Sequence, residues 1–315
     1  MLNRRHLRIK ALHFLYAAQQ GGFADVPRLE KQLISGLEKV QELFLWYSTL
    51  LVELHFSAEQ EIDRGRNKML PSSEDLNPNL RFVKNAVLKA LSQSPALKKA
   101  ADKMGVSWAG QGELCKRIFS ELKQQQLYTA YMGNEDKRFE SERSFVEKII
   151  VEFFPHCEPL QFFLEEKQIV WIDDHEIVLL ALQKAVKKMS NASDTEFQIP
   201  SLYKDPEDDR KFVLGLFRKT IEDYGSYEQL IAEKAKNWEI DRLAQLDVLL
   251  IRMAIAEATG FPSIPVKVTM NEFIELAKQY STPKSRQFVN GMLDAIFAEL
   301  TASGAIQKTG RGLVQ

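Results

Sequence analysis

The sequence predicts an all-α protein, and three of its features support that fold class. Glycine and proline, the residues that interrupt helices, occur only 15 and 11 times in 315 residues. Leu, Lys, Glu and Ala, which favour helices, are abundant. Apolar residues recur at intervals of three or four, the spacing of an amphipathic helix, whereas alternating runs of Val, Ile and Thr are almost absent.

Length and composition bound the class of protein. At about 150 residues per domain, a chain of 315 residues suggests two domains. Hydrophobic residues make up 45% and charged residues 27%, which is ordinary for a soluble globular protein and argues against disorder of the whole chain. A net charge of −1 excludes a uniformly basic nucleic-acid binder but leaves room for a local basic patch.

The cysteines and the apolar runs predict a cytoplasmic location. Cys115 and Cys157 are too few for a disulfide framework or a cysteine-rich zinc site, and they fit a reducing compartment. The longest apolar stretches, such as 43–54, are too short for a transmembrane helix. The basic N-terminus lacks the unbroken apolar run of a signal peptide, so we expect neither export nor a membrane partner.

The first predicted helix, 3–20, contains the first candidate binding site. Its apolar stripe ends at Tyr16, whereas Arg4, Arg5 and Arg8 lie on other faces within about one and a half turns. No acidic residue occurs among the first 20. The cluster is compatible with a solubilising face, but guanidinium groups match the geometry of phosphate, which favours an anion-binding surface.

The last predicted helix, 283–302, contains the second candidate site, and Pro283 is expected as its first residue. Lys284 and Arg286 then lie in the first turn, where cations oppose the helix dipole. Because stability alone would favour acids there, the cations and the free backbone N–H groups predict an anion site. Phe288, one turn on, either belongs to the core or offers its ring for stacking of a nucleic-acid base.

The remaining helices are expected from apolar periodicity and from breaks at Gly, Pro and Asn. They are predicted at 28–68, 79–93, 95–104, 111–127, 141–154, 207–223, 226–236, 241–258 and 266–280. The segment 190–194 is predicted to be a loop, and the tail from residue 303 is expected to be flexible.

Two further features mark the middle of the chain. Between residues 152 and 176, seven acids oppose one lysine, which gives a charge of −6. A weak internal repeat links 143–182 to 210–249 at a constant offset of 67, with nine of 40 positions identical, among them Trp171 with Trp238. The repeat indicates either coincidence or a decayed copy, within 142–189, of the helical unit that follows. Both tryptophans are predicted to be core anchors.

Motifs for catalysis are absent from the sequence. It contains no phosphate loop, no dinucleotide fingerprint, no HExxH motif and no CxxC motif. The five histidines lack metal-ligand spacing, and His175, beside Asp173, Asp174 and Glu176, is interpreted as part of a solvated acidic turn. We therefore expect no enzymatic activity, no cofactor and no metal site.

The C-terminal third contains a long motif that resembles a known family. The run from Ile264 to Lys278 reads IPVKVTMNEFIELAK, and the run from Lys284 to Asp294 reads KSRQFVNGMLD. Together they resemble the C-terminal signature of the NusB family of transcription antitermination factors. Weaker similarity at Trp238, at 241–257 and in the arginine-rich helix extends the resemblance to 1–20 and 197–302, or 126 of 315 residues.

The resemblance implies an all-α fold of two small helical subdomains. It implies binding of single-stranded boxA-type RNA from ribosomal RNA leaders, jointly with a small-subunit ribosomal protein also called NusE, and loading onto RNA polymerase to resist termination. The family's RNA surface maps onto Arg4, Arg5, Arg8, Lys284, Arg286, Gln287 and Phe288. Its ribosomal-protein surface maps onto Tyr16, Asp247 and Arg252. The alternatives are that Tyr16 completes the core stripe and that Arg252 forms an internal ion pair.

The chain departs from the family pattern in its length, because NusB proteins are commonly less than half this size. This predicts a NusB-like core at 1–20 and 197–302, a helical insertion at 21–196 and a flexible tail at 303–315. We expect the acidic 152–176 stretch to face a basic ribosomal protein or the polymerase, since it would repel phosphates.

Two other functions compete with RNA-binding antitermination. One is a ribosome-assembly or protein-only scaffold in which RNA binding is reduced. The other is an RNA-modifying enzyme, because NusB-like domains also occur fused to RNA methyltransferases. The absence of a glycine-rich nucleotide-binding motif argues against the enzyme.

Overall fold

The computed structural model describes residues 1–190, 197–235 and 244–313. These residues form helices and no strand, which confirms the predicted all-α class. The α-helices of the described residues are Arg4–Gln20 (α1), Val26–Arg66 (α2), Ser73–Leu76 (α3), Ala86–Ser92 (α4), Pro95–Met104 (α5), Gly112–Gln124 (α6), Gln126–Gly133 (α7), Phe139–Lys148 (α8), Glu158–Lys167 (α9), His175–Lys187 (α10), Pro206–Glu222 (α11), Tyr224–Lys234 (α12), Gln245–Gly260 (α13), Val266–Tyr280 (α14) and Ser285–Ala302 (α15).

The chain divides into two compact units. Residues 38–202, together with Met1, form the middle unit. Residues 2–37 and 203–315 form the terminal unit, as far as they are described. The division into a NusB-like core and a helical insertion stays a prediction.

Helix α13 forms the centre of the terminal unit. It is apolar on nearly all sides, and every residue from Leu249 to Ala258 is buried. Helices α1, α11, α12, α14 and α15 all pack against it. A helix that is hydrophobic all round is expected at the centre of a core rather than at its surface. The few polar residues of α13 therefore need partners inside the unit.

The core of the middle unit is rich in aromatic side chains. The ring of Trp46 packs edge-on against those of Trp108 and Phe163, at centroid distances of 4.9 and 5.5 Å. Trp171 is fully buried, and its Nε1 donates to the carbonyl oxygen of Lys39 over 2.8 Å. This confirms that Trp171 is a core anchor.

The helix predicted at 79–93 is shorter than the apolar pattern suggested. It begins at Ala86, because the buried side chain of Asn85 accepts hydrogen bonds from the backbone N–H groups of Val87 and Leu88. Asn at this position satisfies two of the donors that the start of a helix leaves free. The capping side chain of Asn85 therefore sets the residue at which α4 begins.

Residues that follow α15 contact other parts of the terminal unit, while the flexibility predicted for the tail stays a prediction. Lys308 Nζ donates to the carbonyl oxygens of Ala258 and Phe261 over 2.7 and 3.1 Å. The N–H of Thr309 donates to the carbonyl oxygen of Pro262 over 3.0 Å. The lysine thus satisfies carbonyl groups that the end of α13 leaves free.

Some predictions concern parts of the chain beyond the described ranges. They are the loop at 191–194, the tryptophan at Trp238 and the segment 241–243 of the resemblance. Among the described helices, none is both long and apolar enough to cross a membrane.

Candidate nucleic-acid interface

Arg8 of α1 is buried in the terminal unit. Its Nε and Nη2 donate to the two carboxylate oxygens of Glu257 over 2.6 and 2.7 Å. Glu257, from α13, is itself fully buried and also accepts from the hydroxyl of Thr269 over 2.8 Å. A bidentate pair of this kind fixes the plane of the guanidinium. Arg8 therefore holds α1 against α13, and its burial corrects the prediction that it contacts phosphate directly.

Arg4 and Arg5 are more exposed, but both form ion pairs. Arg4 pairs with Asp208, and its Nε lies 3.3 Å from Oδ1 of Asp209, both on α11. Arg5 donates from Nε and Nη2 to the two carboxylate oxygens of Glu272 on α14, over 3.0 and 2.8 Å. These acids lie more than 200 positions away along the chain. The three arginines are therefore paired even though no acidic residue occurs among the first 20.

The pair formed by Arg5 and Glu272 is charged on both sides. Burial alone would raise the pKa of Glu272, but the hydrogen bond from Arg5 and the charge of Arg8 outweigh it and hold that pKa below its ordinary value. The same hydrogen bond raises the pKa of Arg5. Because the side chain of Arg5 is 47% exposed, a phosphate can reach it, but only in competition with Glu272.

The start of α15 is held by a buried hydrogen-bonded turn. The helix begins at Ser285, two residues later than the sequence predicted, with Lys284 as its N-cap. The hydroxyl of Ser285 lies 2.9 Å from that of Ser281 and 2.8 Å from that of Thr282. It also donates to the buried carboxylate of Asp247 over 2.6 Å. Asp247, from the central helix, therefore fixes where α15 begins.

Lys284, Arg286 and Gln287 are exposed at this helix start. Within the described part of the chain, none of them forms an ion pair or a side-chain hydrogen bond. The two cations stand at the first turn of α15, where the N–H groups of Ser285 and Gln287 donate to the carbonyl oxygens of Thr282 and Lys284. Among the described residues, no acid lies within ion-pair distance of either cation. This arrangement raises the local positive potential, which attracts an anion.

A groove of about 570 Å³ opens beside the start of α15, between it and α14. It is lined by Asn271, Ile274, Glu275, Pro283, Arg286, Gln287 and Asn290. A second, smaller groove of about 240 Å³ lies beside Arg5 and is also lined by Glu275. The two grooves therefore share one lining residue, Glu275 of α14.

Phe288 belongs to the core of the terminal unit. Its side chain is only 5% exposed, like those of Val289 and Met292 on the same face of α15. The core alternative raised from the sequence is the one that the structure adopts. A buried ring has no free face, which corrects the prediction that Phe288 is available for stacking on a base.

The three residues predicted to bind a protein partner differ in exposure. Tyr16 is 42% exposed, whereas Asp247 and Arg252 are buried. The guanidinium of Arg252 lies over the ring of Tyr224 at 3.7 Å, and its Nη2 donates to Glu228 over 3.1 Å. The internal ion pair considered for Arg252 is therefore present, and of the three only Tyr16 offers a surface to a partner.

His175 is not part of a solvated turn. Its Nδ1 lies 2.7 Å from the hydroxyl oxygen of Tyr47 in the middle unit, and burial lowers the pKa of the imidazole to about 4. Across the described residues, no group of three or more His, Cys, Asp or Glu side chains is arranged to hold a metal ion.

Comparison with known proteins gives the family. The model of the NusB family matches residues 173–298. A curated relative from Salinibacter ruber, named transcription antitermination protein NusB, is 43% identical over 125 residues, which are 38% of this chain and 78% of the relative. The chain belongs to the NusB family. No solved structure gives a significant match.

Two further NusB relatives with the same name show how the similarity is distributed. The one from Chloroherpeton thalassium is 44% identical over 105 residues, which are 33% of this chain and 50% of the relative. The one from Koribacter versatilis is 39% identical over 96 residues, or 30% of this chain and 66% of the relative. The NusB family model covers α10 to α15, including the start of α15, and leaves out the arginines of α1.

Three residues that shape this NusB surface were not predicted from the sequence: Glu257, Glu272 and Ser285. Glu257 had a detectable signal, because it is the one acid in the mostly apolar run 249–258, and an acid there indicates a buried partner. Glu272 and Ser285 had none, because their partners, Arg5 and Asp247, are distant along the chain. Their roles depend on which helices the fold brings together.

Proposed function

We propose that this chain is a transcription antitermination factor that binds single-stranded RNA at the surface formed by α1, α14 and the start of α15. The curated NusB relatives carry the name of that activity. The observation that carries the proposal is the pair of exposed cations at the start of α15, Lys284 and Arg286, which form no ion pair among the described residues. Arg286 lines a groove that shares the residue Glu275 with the groove beside Arg5.

The work of recognition divides between charge and hydrogen bonding. Lys284 and Arg286 neutralise phosphates and set the register of the RNA, without reading its sequence. Gln287 and Asn271 line the same groove, and their amides can donate to and accept from the edges of unpaired bases. Preference for a boxA-type sequence from a ribosomal RNA leader then comes from these amides rather than from Phe288.

The arginines of α1 take different parts in this proposal. Arg5 supplies a phosphate contact in competition with Glu272, so its contribution is smaller than that of Arg286. Arg4 and Arg8 hold α1 to α11 and α13 through their ion pairs. They position the surface and do not touch the RNA.

The protein partner in this proposal is a small-subunit ribosomal protein, NusE, which binds beside Tyr16. Tyr16 offers an exposed aromatic ring, the kind of side chain that is enriched at protein interfaces. Asp247 and Arg252 act on this interface through the packing of α13. The joint complex then loads onto RNA polymerase.

The experiment is a fluorescence-anisotropy titration of a boxA RNA and a scrambled RNA, at two salt concentrations, with and without the ribosomal protein. We expect preference for boxA that tightens with the protein partner. The double variant Lys284→Ala/Arg286→Ala should weaken both RNAs at least tenfold and reduce the salt slope by about 1.4, since each contact to single strands contributes about 0.7.

The matched control removes two exposed lysines of the middle unit, Lys98→Ala/Lys99→Ala. It carries the same change in charge and should leave RNA affinity within twofold of the wild type. Equal losses in both double variants would mean that only net charge matters and would contradict the proposed surface. If no RNA binds in any condition, the scaffold function takes its place.

A further inference from the structure

The middle unit exposes an apolar stripe on α9 and on the turn that follows it. The side chains of Phe162, Ile169 and Ile172 are 63%, 79% and 63% exposed. They lie within eleven residues of one another, in a unit whose other aromatic side chains are largely buried. Isolated exposed apolar residues are ordinary, but a group of large ones indicates a contact surface.

Helix geometry places acids on both sides of Phe162. The exposed residues of α9 include those at positions i, i+4, i+7 and i+8, which are Glu158, Phe162, Glu165 and Glu166. Leu160 and Leu164, on the opposite face, are fully buried. The outward direction of Phe162 is therefore fixed by the packing of α9 and is not a chance orientation of one side chain.

The turn after α9 directs the two isoleucines outward. Residues Ile169–Trp171 form a 3₁₀ turn that packs against α9. Ile169 and Ile172 are three positions apart, and in a 3₁₀ turn such residues lie on the same side. Trp171 takes the inward position, where its ring is buried and its Nε1 is bonded to Lys39. The fold thus exposes both isoleucines beside α9.

The net charge around the stripe is negative. The carboxylates of Glu158, Glu165 and Glu166 form no ion pair within the residues that the structure describes. Lys167, the one lysine between residues 152 and 176, lies over the ring of Trp46 at 4.6 Å. RNA and anionic membranes would both be repelled by such a surface.

We propose that this acidic-apolar surface, residues 158–172, binds a basic amphipathic segment of a protein partner. The apolar side chains of the segment cover Phe162, Ile169 and Ile172, and its lysines or arginines pair with the flanking glutamates. Charge complementarity favours this partner, because apolar side chains would bury the stripe and cations would pair with the glutamates beside it. The inference does not depend on the proposed RNA binding, which uses residues of the terminal unit.

The test uses the full chain and a fluorescein-labelled 18-residue peptide with leucine at helical spacing and lysine elsewhere. One comparison peptide replaces every lysine by glutamate, and another replaces every leucine by serine. We expect the Leu/Lys peptide to bind at least tenfold more tightly than either comparison peptide, with an affinity that falls as salt rises.

Two pairs of variants locate the binding. Phe162→Ser/Ile172→Ser should weaken binding of the Leu/Lys peptide at least tenfold. The control Leu70→Ser/Leu76→Ser changes two leucines elsewhere in the middle unit that are 91% and 55% exposed, and it should leave binding unchanged.

Glu165→Gln/Glu166→Gln should weaken the peptide three- to tenfold and flatten its salt dependence. Its matched control is Glu74→Gln/Glu135→Gln, which removes two exposed acids elsewhere in the unit. The glutamine variants keep the shape of the surface, so they test the role of charge in peptide binding even if the serine variant fails to fold.

Three outcomes would overturn the proposal. One is equal binding of the lysine and glutamate peptides, which would exclude charge complementarity. Another is a loss of affinity in the control variants as large as in the test variants. The last is self-association of the chain in sedimentation, abolished by Phe162→Ser/Ile172→Ser and without peptide binding, which would assign the surface to a second copy.

Discussion

The hydroxyl of Ser285 donates to the buried carboxylate of Asp247 over 2.6 Å, and this bond ties the first residue of α15 to the central helix α13. We expect Asp247→Ala to lower the free energy of unfolding by about 1–3 kcal/mol, since the buried hydrogen bond between Ser285 and this carboxylate is lost. RNA affinity should fall too, because the start of α15 presents Lys284 and Arg286. Urea denaturation and RNA anisotropy measure the two effects.

Asp247→Asn is the matched control for this bond. The amide oxygen can still accept from Ser285, so both losses should be clearly smaller than in Asp247→Ala. A variant Asp247→Ala with wild-type stability and wild-type RNA affinity would show that the bond does not hold the helix start.

The buried pair of Arg8 and Glu257 should matter far more for folding than the partly exposed pair of Arg5 and Glu272. Removing Glu257 leaves a buried guanidinium without its bidentate partner. We expect Glu257→Ala to cost about 3–5 kcal/mol. Glu272→Ala should cost about 1 kcal/mol or less, since its partner reaches solvent.

Thermal unfolding followed by circular dichroism compares these two glutamate variants directly. Glu272→Ala has a second expected effect, because it frees Arg5 for phosphate and should therefore tighten RNA binding. Equal stability losses in the two variants, or weaker RNA binding in Glu272→Ala, would count against this account of the arginine cluster.

Phe288 should contribute to stability and not to the choice of RNA sequence. We expect Phe288→Ala to cost about 3–5 kcal/mol, as for other large aromatic residues removed from a core. Phe288→Leu keeps most of the apolar volume, so it should fold and should bind boxA and scrambled RNA with the wild-type ratio of affinities. If the Phe288→Leu protein folds but loses affinity for boxA RNA alone, the ring of Phe288 takes part in base recognition and this prediction is wrong.

The stability of the middle unit should fall on mild acidification because of His175. Burial lowers its folded pKa from 6.5 to about 4, so the unfolded chain binds more protons between those two values. The contribution of the neutral imidazole is complete above pH 6.5 and is lost as the pH falls toward 4, which amounts to about 2 kcal/mol between pH 7 and pH 5. Urea denaturation at the two pH values measures it.

His175→Gln removes the titrating group while keeping a side chain that can hydrogen-bond to Tyr47. Its loss of stability between pH 7 and pH 5 should be smaller than that of the wild type by about the same 2 kcal/mol. If His175→Gln and the wild type lose the same stability between pH 7 and pH 5, groups other than His175 cause the acid sensitivity.

The sequence alone predicted the helices and the family, because both depend on information that is local in the chain. Apolar spacing predicted helices that agree closely with α1, α2, α5 and α14. The contiguous motif between Ile264 and Asp294 was enough to identify the resemblance. Trp171 was correctly predicted as a core residue, since a large indole ring is rarely left exposed.

The tertiary structure decided which charges are available. Arg4, Arg5 and Arg8 form one basic cluster in the sequence, but acids on α11, α13 and α14 pair with each of them. Lys284 and Arg286 remain exposed and unpaired within the described residues. The energy of a charge depends on partners that are distant in the chain and on its burial, and neither quantity can be obtained from local spacing. For this reason the sequence located the candidate surface, and only the fold showed which of its residues face solvent and which stabilise the packing beneath it.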